Sequence, residues 1–357
     1  MISKFKLMNW RNCQRAQFDF ERKNLFIGPN GSGKSNLLEA LGFLGVLRSF
    51  RTARLGETIQ LGAESAHLRC EWRSGSSRGG AAVNSSSVLE VAINRSGERR
   101  LLVNNHLERS GRDFIQHFYP VVFAPEDIQM INGAPGERRR FIDMLASQLD
   151  DGYINVLHDY LAALKMRNQL LKKSRNVDMT QLEVYEGLLA FAGADLTLRR
   201  QKCVEQLNHT LSTLEGGNTG RIAIEYLPQC AGGAEAYLAA FDRSRRREME
   251  KHTTLTGCHL DDYRFLRGNT PMKGFASTGQ NRLAALNCKL SAALLVMRRR
   301  GADKLIALVD DVTGELDLQH RQKFYETLEP AGQMFFTFTA LPEENFFREA
   351  QIWNLPL

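Results

Sequence analysis

The sequence predicts an α/β protein with a phosphate-binding head and a second, mainly helical domain, and three observations support this. Residues Gly28–Ser35 read G-x-x-x-x-G-K-S and lie between an apolar strand and a helix. A second apolar run, Leu305–Asp311, ends in two acids near the other end of the chain. Helical periodicity dominates much of the sequence between them. We therefore expect residues 1–114 and 301–357 to form the head, and residues 115–300 to form the helical domain.

The glycine-rich run follows a short apolar strand at Asn24–Ile27 and precedes a helix that begins at Ser35. Leucines recur in this helix at the spacing of one helical face, which predicts that the face is buried. Strand, glycine-rich turn and amphipathic helix is the context that a phosphate-binding loop requires. The leucines are Leu37, Leu38, Leu41 and Leu44.

Further strands are expected on both sides of the helical region. Leu68–Arg73, Val88–Asn94 and Leu101–Val103 look like antiparallel strands, and Arg95–Glu98 supplies a turn between the last two. The polar, serine-rich run Ser74–Ser87 between the first two is expected to be a disordered surface loop. Near the other end of the chain, two more strands are predicted at Leu305–Val309 and Met334–Thr339, with a helix between them that ends near Pro330.

The segment from about Ile115 to Thr213 has helical character, with apolar residues that recur at helical spacing. Core packing is the expected role of these residues. The period is not sustained in heptads long enough for an extended coiled coil. The residues are Tyr153, Leu157, Tyr160, Leu164, Leu171, Leu182, Leu188, Leu189, Val204, Leu207 and Leu211.

The composition is that of a globular protein, with 43% hydrophobic and 24% charged residues in a chain of 357. No apolar stretch approaches the ~20 residues that cross a bilayer, and the first residues lack the features of a secretion signal. We therefore expect a cytoplasmic protein with no membrane partner. Its scattered cysteines predict buried free thiols rather than disulfides or a zinc site. They are Cys13, Cys70, Cys203, Cys230, Cys258 and Cys288.

The net charge of +7 suits a polyanionic partner such as nucleic acid, although an excess of this size also occurs on ordinary solubilising surfaces. Part of the charge is concentrated in three arginine clusters, at Arg138–Arg140, Arg245–Arg247 and Arg298–Arg300. Each cluster fits either a nucleic-acid contact or a solvated helix face.

The glycine-rich run has the residue types and spacing of a Walker A loop. Its glycines let the backbone curl so that successive N–H groups face a bound phosphate, and the following helix adds its positive N-terminal end. Lys34 would place an ammonium group on the β- and γ-phosphates, and Ser35 would offer a hydroxyl to Mg²⁺. The predicted ATP-binding residues are Gly28, Pro29, Asn30, Gly31, Ser32, Gly33, Lys34 and Ser35.

The apolar run that ends in Asp310-Asp311 fits a Walker B strand, because Mg²⁺ is held beside the phosphates at the carboxyl end of a buried strand. Asp310 would hold Mg²⁺ together with Ser35. Asp311 would orient or deprotonate the attacking water. Lys34, Asp310 and Asp311 are therefore the predicted catalytic residues. The alternative is that the two acids cap the helix that follows.

A third motif, Ala276-Ser277-Thr278-Gly279-Gln280, precedes the Walker B strand. Backbone N–H groups and a serine hydroxyl at the start of a helix suit a γ-phosphate, although a lone Ser-Thr-Gly is also a common helix N-cap. With both Walker motifs present, this run resembles the signature motif of ABC-type ATPases. The matched positions are Ser277, Gly279 and Gln280.

Resemblance to the ABC-type ATPases implies a shared nucleotide site. In that family the signature reaches ATP held by the Walker A loop of a second copy, so that ATP joins two protomers and hydrolysis releases them. Glu315-Leu316-Asp317 resembles the family's D-loop, which would place Asp317 at the dimer seam. The expected fold class is an ABC-type P-loop ATPase head with a mainly helical domain that carries the signature, and with no long coiled coil.

Longer strings resemble the RecF family of bacterial DNA gap-repair proteins, which are related to the SMC and Rad50 ATPases. These strings are Leu7–Asn12, Val122–Asp127, Arg138–Asp143 and Gly257–Asp262, and the resemblance covers nearly the whole chain.

The chain departs from the family pattern in two of its motifs. Cys258 and Leu260 stand where the family has proline and arginine, so any role of that arginine is lost. Thr278 and Asn281 stand in the signature where glutamines are expected.

The family resemblance implies ATP and Mg²⁺ as cofactors, an ATP-dependent homodimer and weak, DNA-dependent ATP hydrolysis. It also implies binding to duplex, gapped or junction DNA, and cooperation with RecR and RecO in loading RecA onto SSB-coated single strands. Arg11 is a candidate for contacting the phosphates or the base. Gln129 or the Glu126-Asp127 pair is a candidate for the Q-loop position, which senses the γ-phosphate.

Two other functions remain open from the sequence. A transporter ATPase subunit would share the mechanism, but such subunits carry Leu-Ser-Gly-Gly-Gln and a glutamate after Walker B. A non-hydrolytic nucleotide switch would differ only in its rate of turnover. A GTPase is disfavoured, because no Asn-Lys-x-Asp motif occurs in the sequence.

Overall fold

A computed structural model describes residues 1–74, 85–172, 177–215, 221–312, 314 and 316–356. The chain divides into two compact units. The first comprises Met1–Glu126 and Ala292–Leu357, and the second comprises Asp127–Ser291. These limits lie 9 to 12 residues from the predicted domain limits of 114/115 and 300/301. The first limit moves because a strand at Tyr119–Phe123 pairs within the first unit.

The elements are numbered in chain order. The strands of the first unit are β1 Ile2–Trp10, β2 Cys13–Asp19, β3 Lys23–Ile27, β4 Ser65–Ser74, β5 Ser85–Asn94, β6 Arg99–Val103, β7 His106–Glu108, β8 Tyr119–Phe123, β12 Leu305–Asp310, β13 Gln333–Phe338 and β14 Gln351–Asn354. Its helices are α1 Lys34–Val46, α2 Gly111–Phe114 and α9 Leu318–Leu328. The second unit contains α3 Gln129–Asn132, α4 Pro135–Leu149, α5 Tyr153–Leu171, α6 Met179–Leu214, β9 Ile222–Leu227, α7 Ala234–Lys251, β10 Asp262–Arg267 and β11 Thr270–Pro271. Helix α8, Thr278–Arg300, begins in the second unit and ends in the first.

A parallel sheet with the strand order β14-β3-β13-β12-β8 forms one layer of the first unit. Every residue of β12 is buried, as expected for a parallel strand that is covered on both faces. Parallel strands align their carboxyl ends, so the residues that follow β3 and β12 emerge at the same edge. The three strands predicted for this sheet, at Asn24–Ile27, Leu305–Val309 and Met334–Thr339, are confirmed to within a residue or two.

An antiparallel sheet with the order β2-β1-β4-β5-β6-β7 forms a second layer. Its inward residues alternate with outward ones, and the inward set joins α1 and the parallel sheet in one apolar core. The predicted strands and the turn at Arg95–Glu98 are confirmed, with Asn94 N donating to Glu98 O at 3.1 Å. Of the serine-rich run predicted as a loop, Ser85–Ser87 belongs to β5, and residues 75–84 lie outside the described part.

Helix α1 is buried on nearly all sides, because it lies within this core. The four leucines predicted for its inner face are all buried, but so are Ala40, Phe43 and Gly45. A Cβ on Gly45 would overlap the ring of Pro120, so the helix can approach β8 closely only with glycine at this position. This tight packing fixes the C-terminal end of α1 against β8.

The second unit is mainly helical, but it also contains the three-stranded sheet β11-β10-β9, which the sequence pattern did not predict. The helical segment expected from Ile115 is wrong at Tyr119–Phe123, where β8 lies. Within the predicted core stripe, Leu188 is 53% exposed and is therefore not a core residue. Leu157 and Leu164 are half-buried, and the remaining members are buried. Helix α6, with 36 residues, is the longest described helix, so the described residues contain no long coiled coil.

The six cysteines are free thiols, as predicted; five are buried, and Cys13 is half-buried. Burial raises the pKa of the Cys70 thiol to about 12, so the thiol stays protonated and unreactive at neutral pH. Among the described helices, none combines the length and the apolar character that crossing a bilayer requires.

Candidate nucleotide site

The loop between β3 and α1 has a backbone that its glycines permit. Gly31 and Gly33 adopt φ values of 83° and 100°, in the left-handed region that favours glycine. Gly28 donates its N–H to Phe338 O at 3.2 Å, and a Cβ at this position would overlap the carbonyl oxygen of Leu355. The loop is therefore held at Gly28 by Phe338 and Leu355, and its backbone turns sharply at Gly31 and Gly33.

Two polar groups in this loop fit a bound polyphosphate. The Ser32 Oγ is buried and has no hydrogen-bond partner among the described residues. The Lys34 side chain is 7% exposed, and its Nζ donates to Gly28 O at 2.6 Å and to Pro29 O at 2.9 Å. A buried hydroxyl without a partner costs free energy, and a nearby phosphate oxygen would remove that cost. The ammonium group can exchange its carbonyl partners for phosphate oxygens by rotating its side chain.

The Walker A serine and the first Walker B acid lie in contact. Ser35 Oγ donates to Asp310 Oδ1 at 2.9 Å, and Thr337 Oγ1 donates to the same oxygen at 2.8 Å. Asp310 is 7% exposed at the carboxyl end of β12. Carboxylate and hydroxyl oxygens beside a phosphate loop form the hard-oxygen environment that Mg²⁺ prefers. The sequence did not single out Thr337, although it lies on a predicted strand of the same sheet.

The second Walker B acid has a different environment. Asp311 is exposed and has a φ of 51°, so the chain turns sharply where β12 ends. The helix that follows, α9, is capped by Asp317, whose Oδ1 accepts the N–H of His320 at 2.9 Å. The alternative that Asp310 and Asp311 cap this helix is therefore wrong.

Arg11 lies in the β1–β2 turn and contacts α1. Its guanidinium donates to both oxygens of the buried Glu39, at 2.8 and 2.6 Å, and to Glu57 O at 2.8 Å. The hydrogen bonds to Glu39 raise the pKa of Arg11 above its ordinary value. A nucleotide contact by Arg11 stays a prediction, because its described partners are protein oxygens.

The neighbouring Asn12 was missed as a site residue. A Cβ on Gly33 would come within 3.1 Å of the Asn12 amide, and Asn36 Nδ2 donates to Asn12 Oδ1 at 2.7 Å. Asn12 therefore connects the β1–β2 turn to the phosphate-binding loop. Its place beside Arg11 in the family-like string Leu7–Asn12 was the available sequence signal.

The signature residues lie at the exposed start of α8 in the second unit. Ser277 Oγ accepts the N–H of Gln280 at 3.3 Å, and Gln280 Oε1 accepts the N–H of Ser277 at 3.0 Å. This reciprocal pair is a capping box. Ser277, Gly279 and Gln280 are all exposed, and a Cβ on Gly279 would meet no atom within 4 Å. The motif is thus both a helix N-cap and an accessible surface.

The remaining candidates are only partly described. Asp317 is exposed at the start of α9, and Glu315 of the predicted D-loop lies outside the described residues. Gln129 is exposed at the start of α3, while Asp127 pairs with Lys289 at 2.9 Å. The D-loop and Q-loop roles stay predictions.

Two of the family-like strings form one buried network inside the second unit. Arg138 donates to both oxygens of Asp262, at 2.6 and 3.0 Å, and Arg139 donates to Asp261 O at 2.7 Å. Arg200 donates to Asp261 Oδ2 at 2.9 Å and pairs with Asp143. Burial alone would raise the pKa of the Asp262 carboxyl, but the hydrogen bonds from Arg138 keep it below its ordinary value.

This network changes the interpretation of the arginine clusters. Arg138 and Arg139 are used inside the unit, and Arg245 pairs with the buried Glu186 at 2.6 Å. Arg300 lies over the ring of Tyr119, with 5.0 Å between the guanidinium carbon and the ring centroid. These four arginines therefore have protein partners, and a nucleic-acid contact by the clusters stays a prediction.

Walker A loop, Walker B strand and a separate helix-terminal signature together define an ABC-type P-loop ATPase, and the model of the RecF/RecN/SMC N-terminal domain family matches residues 1–353. A DNA replication and repair protein RecF from Streptomyces avermitilis is 33% identical over 94% of this chain and 92% of its own length. One from Exiguobacterium sp. is 33% identical over 95% and 92%, respectively. The chain belongs to the RecF family.

Two solved structures are similar to the chain over almost its full length. One is the recombination mediator protein RecF-ATP in the RecFOR pathway, which is 29% identical with a TM-score of 0.87 over 96% of this chain and 93% of that one. The other, RecF-ATPrS of the same pathway, is 27% identical with a TM-score of 0.87 over 99% and 96%. The predicted fold class, an ABC-type head without a long coiled coil, is confirmed.

Proposed function

We propose that the chain is an ATP-dependent DNA-binding protein of recombinational gap repair, in which ATP closes two copies of the chain around DNA. One observation carries the proposal. The phosphate-binding loop holds a buried hydroxyl without a partner at Ser32, beside Lys34 and the Ser35–Asp310 contact. The signature residues Ser277 and Gly279 stand exposed on a separate unit, accessible to a second copy.

The residues divide the work of binding the nucleotide. The N–H groups of Gly28–Ser35 and the start of α1 bind the phosphates, and Lys34 neutralises their charge. Ser35 and Asp310 would hold Mg²⁺, and Thr337 donates its hydroxyl to the Asp310 carboxylate and so orients it. Mg²⁺ supplies charge stabilisation on the phosphates when it is bound. Ser277, Gly279 and Gln280 of the second copy complete the site.

Hydrolysis would depend on Asp311, which orients or deprotonates water beside the phosphates. Turnover is expected to be slow, because each copy holds only part of the site and the second copy must arrive by diffusion. DNA would stimulate it by holding two copies together. The chain is thus a weak, DNA-dependent ATPase that resets its own dimer.

The relatives supply the biological setting. The RecF proteins to which this chain is similar are named as DNA replication and repair proteins. The similar ATP-bound structure is that of a recombination mediator in the RecFOR pathway. We infer that this chain binds duplex, gapped or junction DNA in the cytoplasm and acts with RecR and RecO to load RecA onto SSB-coated single strands. Membership of the RecF family favours this function over that of a transporter ATPase subunit.

A nucleotide switch without productive hydrolysis is the second candidate. The observation in its favour is Asp311, an exposed aspartate that reaches one methylene less far than the glutamate of transporter ATPases. Under this alternative, ATP binding alone would drive dimerisation and DNA binding. The two candidates differ in turnover of the closed dimer, not in its formation.

The proposal is tested by measuring the mass of the protein by sedimentation velocity, with and without ATP and DNA. We expect the 40.4 kDa chain to double its mass with ATP and to bind DNA only then. Lys34→Ala should remain monomeric with ATP, because its ammonium group is lost from the loop. A wild-type chain whose mass is unchanged by ATP would overturn the proposal.

A further inference from the structure

The outward face of the antiparallel sheet carries two arginines in one row near one end, and the acid closest to Arg100 on this face, Glu98, accepts a hydrogen bond from Asn94 Nδ2 at 2.7 Å. Strand pairing places Arg15 on β2, Met8 on β1, His67 on β4, Ala92 on β5 and Arg100 on β6 opposite one another in a single row. Residues paired across strands share a face, so this row lies on the face opposite the apolar core. Except for the half-buried Ala92, all members are exposed.

The next rows combine cations with acids. The second row places Lys6 of β1 opposite Gln17 and Arg69, and Arg69 is neutralised by Glu90 at 2.5 Å. The third row, at the other end, contains Lys4 between Asp19 and Glu71. On this face, the exposed cations without a described acid partner are Lys6, Arg15 and Arg100 toward the first row and Arg73 of β4 at the other end.

We call Lys6, Arg15 and Arg100 the basic end of the sheet. Among the described residues, none of the three forms an ion pair or a side-chain hydrogen bond, so their N–H donors are free to bind an anion. By contrast, Arg138, Arg139 and Arg245, which the sequence suggested as DNA contacts, are held by acids or carbonyls inside the second unit. Three exposed cations on three different strands are thus available to a polyanion, as are the exposed Arg247 and Arg298 of the arginine clusters.

The size of the basic end suits duplex DNA. Strands lie about 4.8 Å apart, so Arg15 and Arg100, four strand spacings apart, are separated by about 19 Å. This distance exceeds the major-groove width of about 12 Å, which allows the two arginines to contact phosphates on both sides of a groove. Met8 and His67 between them carry no acid that would repel phosphate.

The basic end also adjoins the nucleotide loop within the same unit. Met8 and Arg15 flank the β1–β2 turn, which contains Arg11 and Asn12. Arg11 is bound to Glu39 of α1, and the Asn12 amide lies against Gly33. A ligand on the basic end therefore contacts the strands that hold this turn against the phosphate-binding loop.

We propose that the basic end of the sheet binds the phosphates of duplex DNA without reading its sequence, and that this contact is relayed to the phosphate-binding loop through the β1–β2 turn. The inference rests on the proposed function as an ATP-dependent DNA-binding protein. It assigns the DNA contact to Lys6, Arg15 and Arg100 rather than to the arginine clusters of the sequence.

The test compares a triple variant, Lys6→Ala with Arg15→Ala and Arg100→Ala, with the single variant Lys4→Ala. Lys4 lies on the same strand and face as Lys6 but pairs with Asp19 at 3.7 Å, so it is a matched control. Affinity for a fluorescein-labelled duplex is measured by anisotropy with ATP over a range of salt concentrations. The triple variant should bind at least about tenfold more weakly, with a log–log salt slope shallower by about three.

ATP-dependent mass and the ATPase rate without DNA should stay at wild-type values in the triple variant, while stimulation by DNA falls. Lys4→Ala should bind DNA like the wild type. Wild-type affinity and slope in the triple variant would overturn the inference while leaving the proposed function intact, as would an equal loss in Lys4→Ala. A wild-type chain that binds no DNA with ATP would instead overturn the proposed function.

Arg15→Glu alone is a second variant that does not depend on the stability of the triple one. Arg15 is exposed on the outer face of β2, so its replacement leaves the apolar core unchanged. Charge reversal should weaken DNA binding more than Arg15→Ala does, and equally for duplexes of different sequence. A loss confined to one sequence, or no loss, would contradict the assignment.

Discussion

At the scale of single residues, two adjacent acids at the end of β12 have opposite environments. Asp310 is buried and accepts hydrogen bonds from Ser35 and Thr337, whereas Asp311 is exposed in a left-handed turn. An aspartate is tolerated in this backbone region better than most residues, because its short side chain can bond locally. The turn therefore places one carboxylate against Ser35 and Thr337 and the next one in solvent.

Replacing Asp311 by asparagine separates binding from hydrolysis. The substitution keeps size and polarity but removes the carboxylate that we propose to orient or deprotonate water. We expect Asp311→Asn to bind ATP like the wild type, to form a dimer that persists, and to hydrolyse ATP at least about 10²-fold more slowly. Nucleotide binding by fluorescence, mass by sedimentation and phosphate release in single-turnover experiments measure the three properties.

Two outcomes would contradict this assignment. A variant that stays monomeric with ATP would show that Asp311 is needed for closing the site. Unchanged phosphate release would show that Asp311 has no part in hydrolysis. If the wild type itself forms a lasting dimer and releases no phosphate, the nucleotide-switch alternative is correct.

At the scale of secondary-structure elements, strands that form a continuous apolar run next to a motif were predictable, and strands without such a motif were not. The strands at Asn24–Ile27 and Leu305–Val309 could be predicted because a buried parallel strand is a continuous apolar run next to its motif. The strand at Tyr119–Phe123 is as long as β3, but no phosphate-site motif adjoins it and the sequence around it has helical periodicity, so it was interpreted as part of a helix. The small sheet of the second unit was missed for the same reason.

Pairing between distant elements was not predictable from the sequence at all. Arg138 pairs with Asp262, which lies 124 residues later in the sequence. The basic end of the sheet likewise contains residues from three strands, β1, β2 and β6. A cluster of arginines in sequence therefore indicated a surface contact where the structure has an internal network. Conversely, Arg15 and Arg100 seemed unremarkable in the sequence, because only the strand register places them in one row.

The Arg138–Asp262 pair links α4 to β10, and a double-mutant cycle measures its strength. Arg138 is 5% exposed, so removing only Asp262 leaves a buried charge without its partner. We expect Asp262→Ala to lower the free energy of unfolding by about 3 kcal/mol, and the Arg138→Met, Asp262→Ala double variant to lose less than the sum of the single losses. Urea unfolding followed by circular dichroism gives the four free energies.

The coupling should depend on pH in a defined direction. Because the folded-state pKa of Asp262 is lowered, its stabilisation is fully present above the unfolded-state pKa of about 4 and is lost as the pH falls through the folded value. Additive losses at pH 7 would contradict the pair. If Arg138→Met instead kept wild-type stability and lost DNA affinity, Arg138 would belong to the DNA surface after all.

At the scale of the whole molecule, each chain carries both parts of the proposed shared site, the nucleotide-binding part and the signature part. The phosphate-binding loop and Walker B strand lie in the first unit, and the exposed signature lies in the second. Ser277 also caps α8 through Gln280, so its replacement by a residue that cannot cap costs about 1 kcal/mol of helix stability. A test of the shared site must therefore separate loss of the cap from loss of the contact with a second copy.

Two inactive variants should restore activity when they are mixed. Ser277→Arg keeps its own Walker A loop but places a bulky cation where the partner's phosphates would be approached, so it should bind ATP as a monomer and fail to dimerise. Lys34→Ala keeps its signature but cannot hold ATP. In a mixed dimer, the loop of the first variant faces the signature of the second, so one of the two composite sites is intact.

We expect each variant alone to be inactive and the mixture to recover DNA-stimulated ATP hydrolysis, up to about half the wild-type rate per dimer, because one site in two is complete. Ser277→Ala is the control for the lost cap, since it removes the hydroxyl without adding bulk and should weaken dimerisation less than Ser277→Arg does. Phosphate release and sedimentation of the mixture measure the recovery. If mixing restores nothing while Ser277→Arg alone fails to bind ATP, the signature serves the nucleotide of its own chain, and the site is not shared.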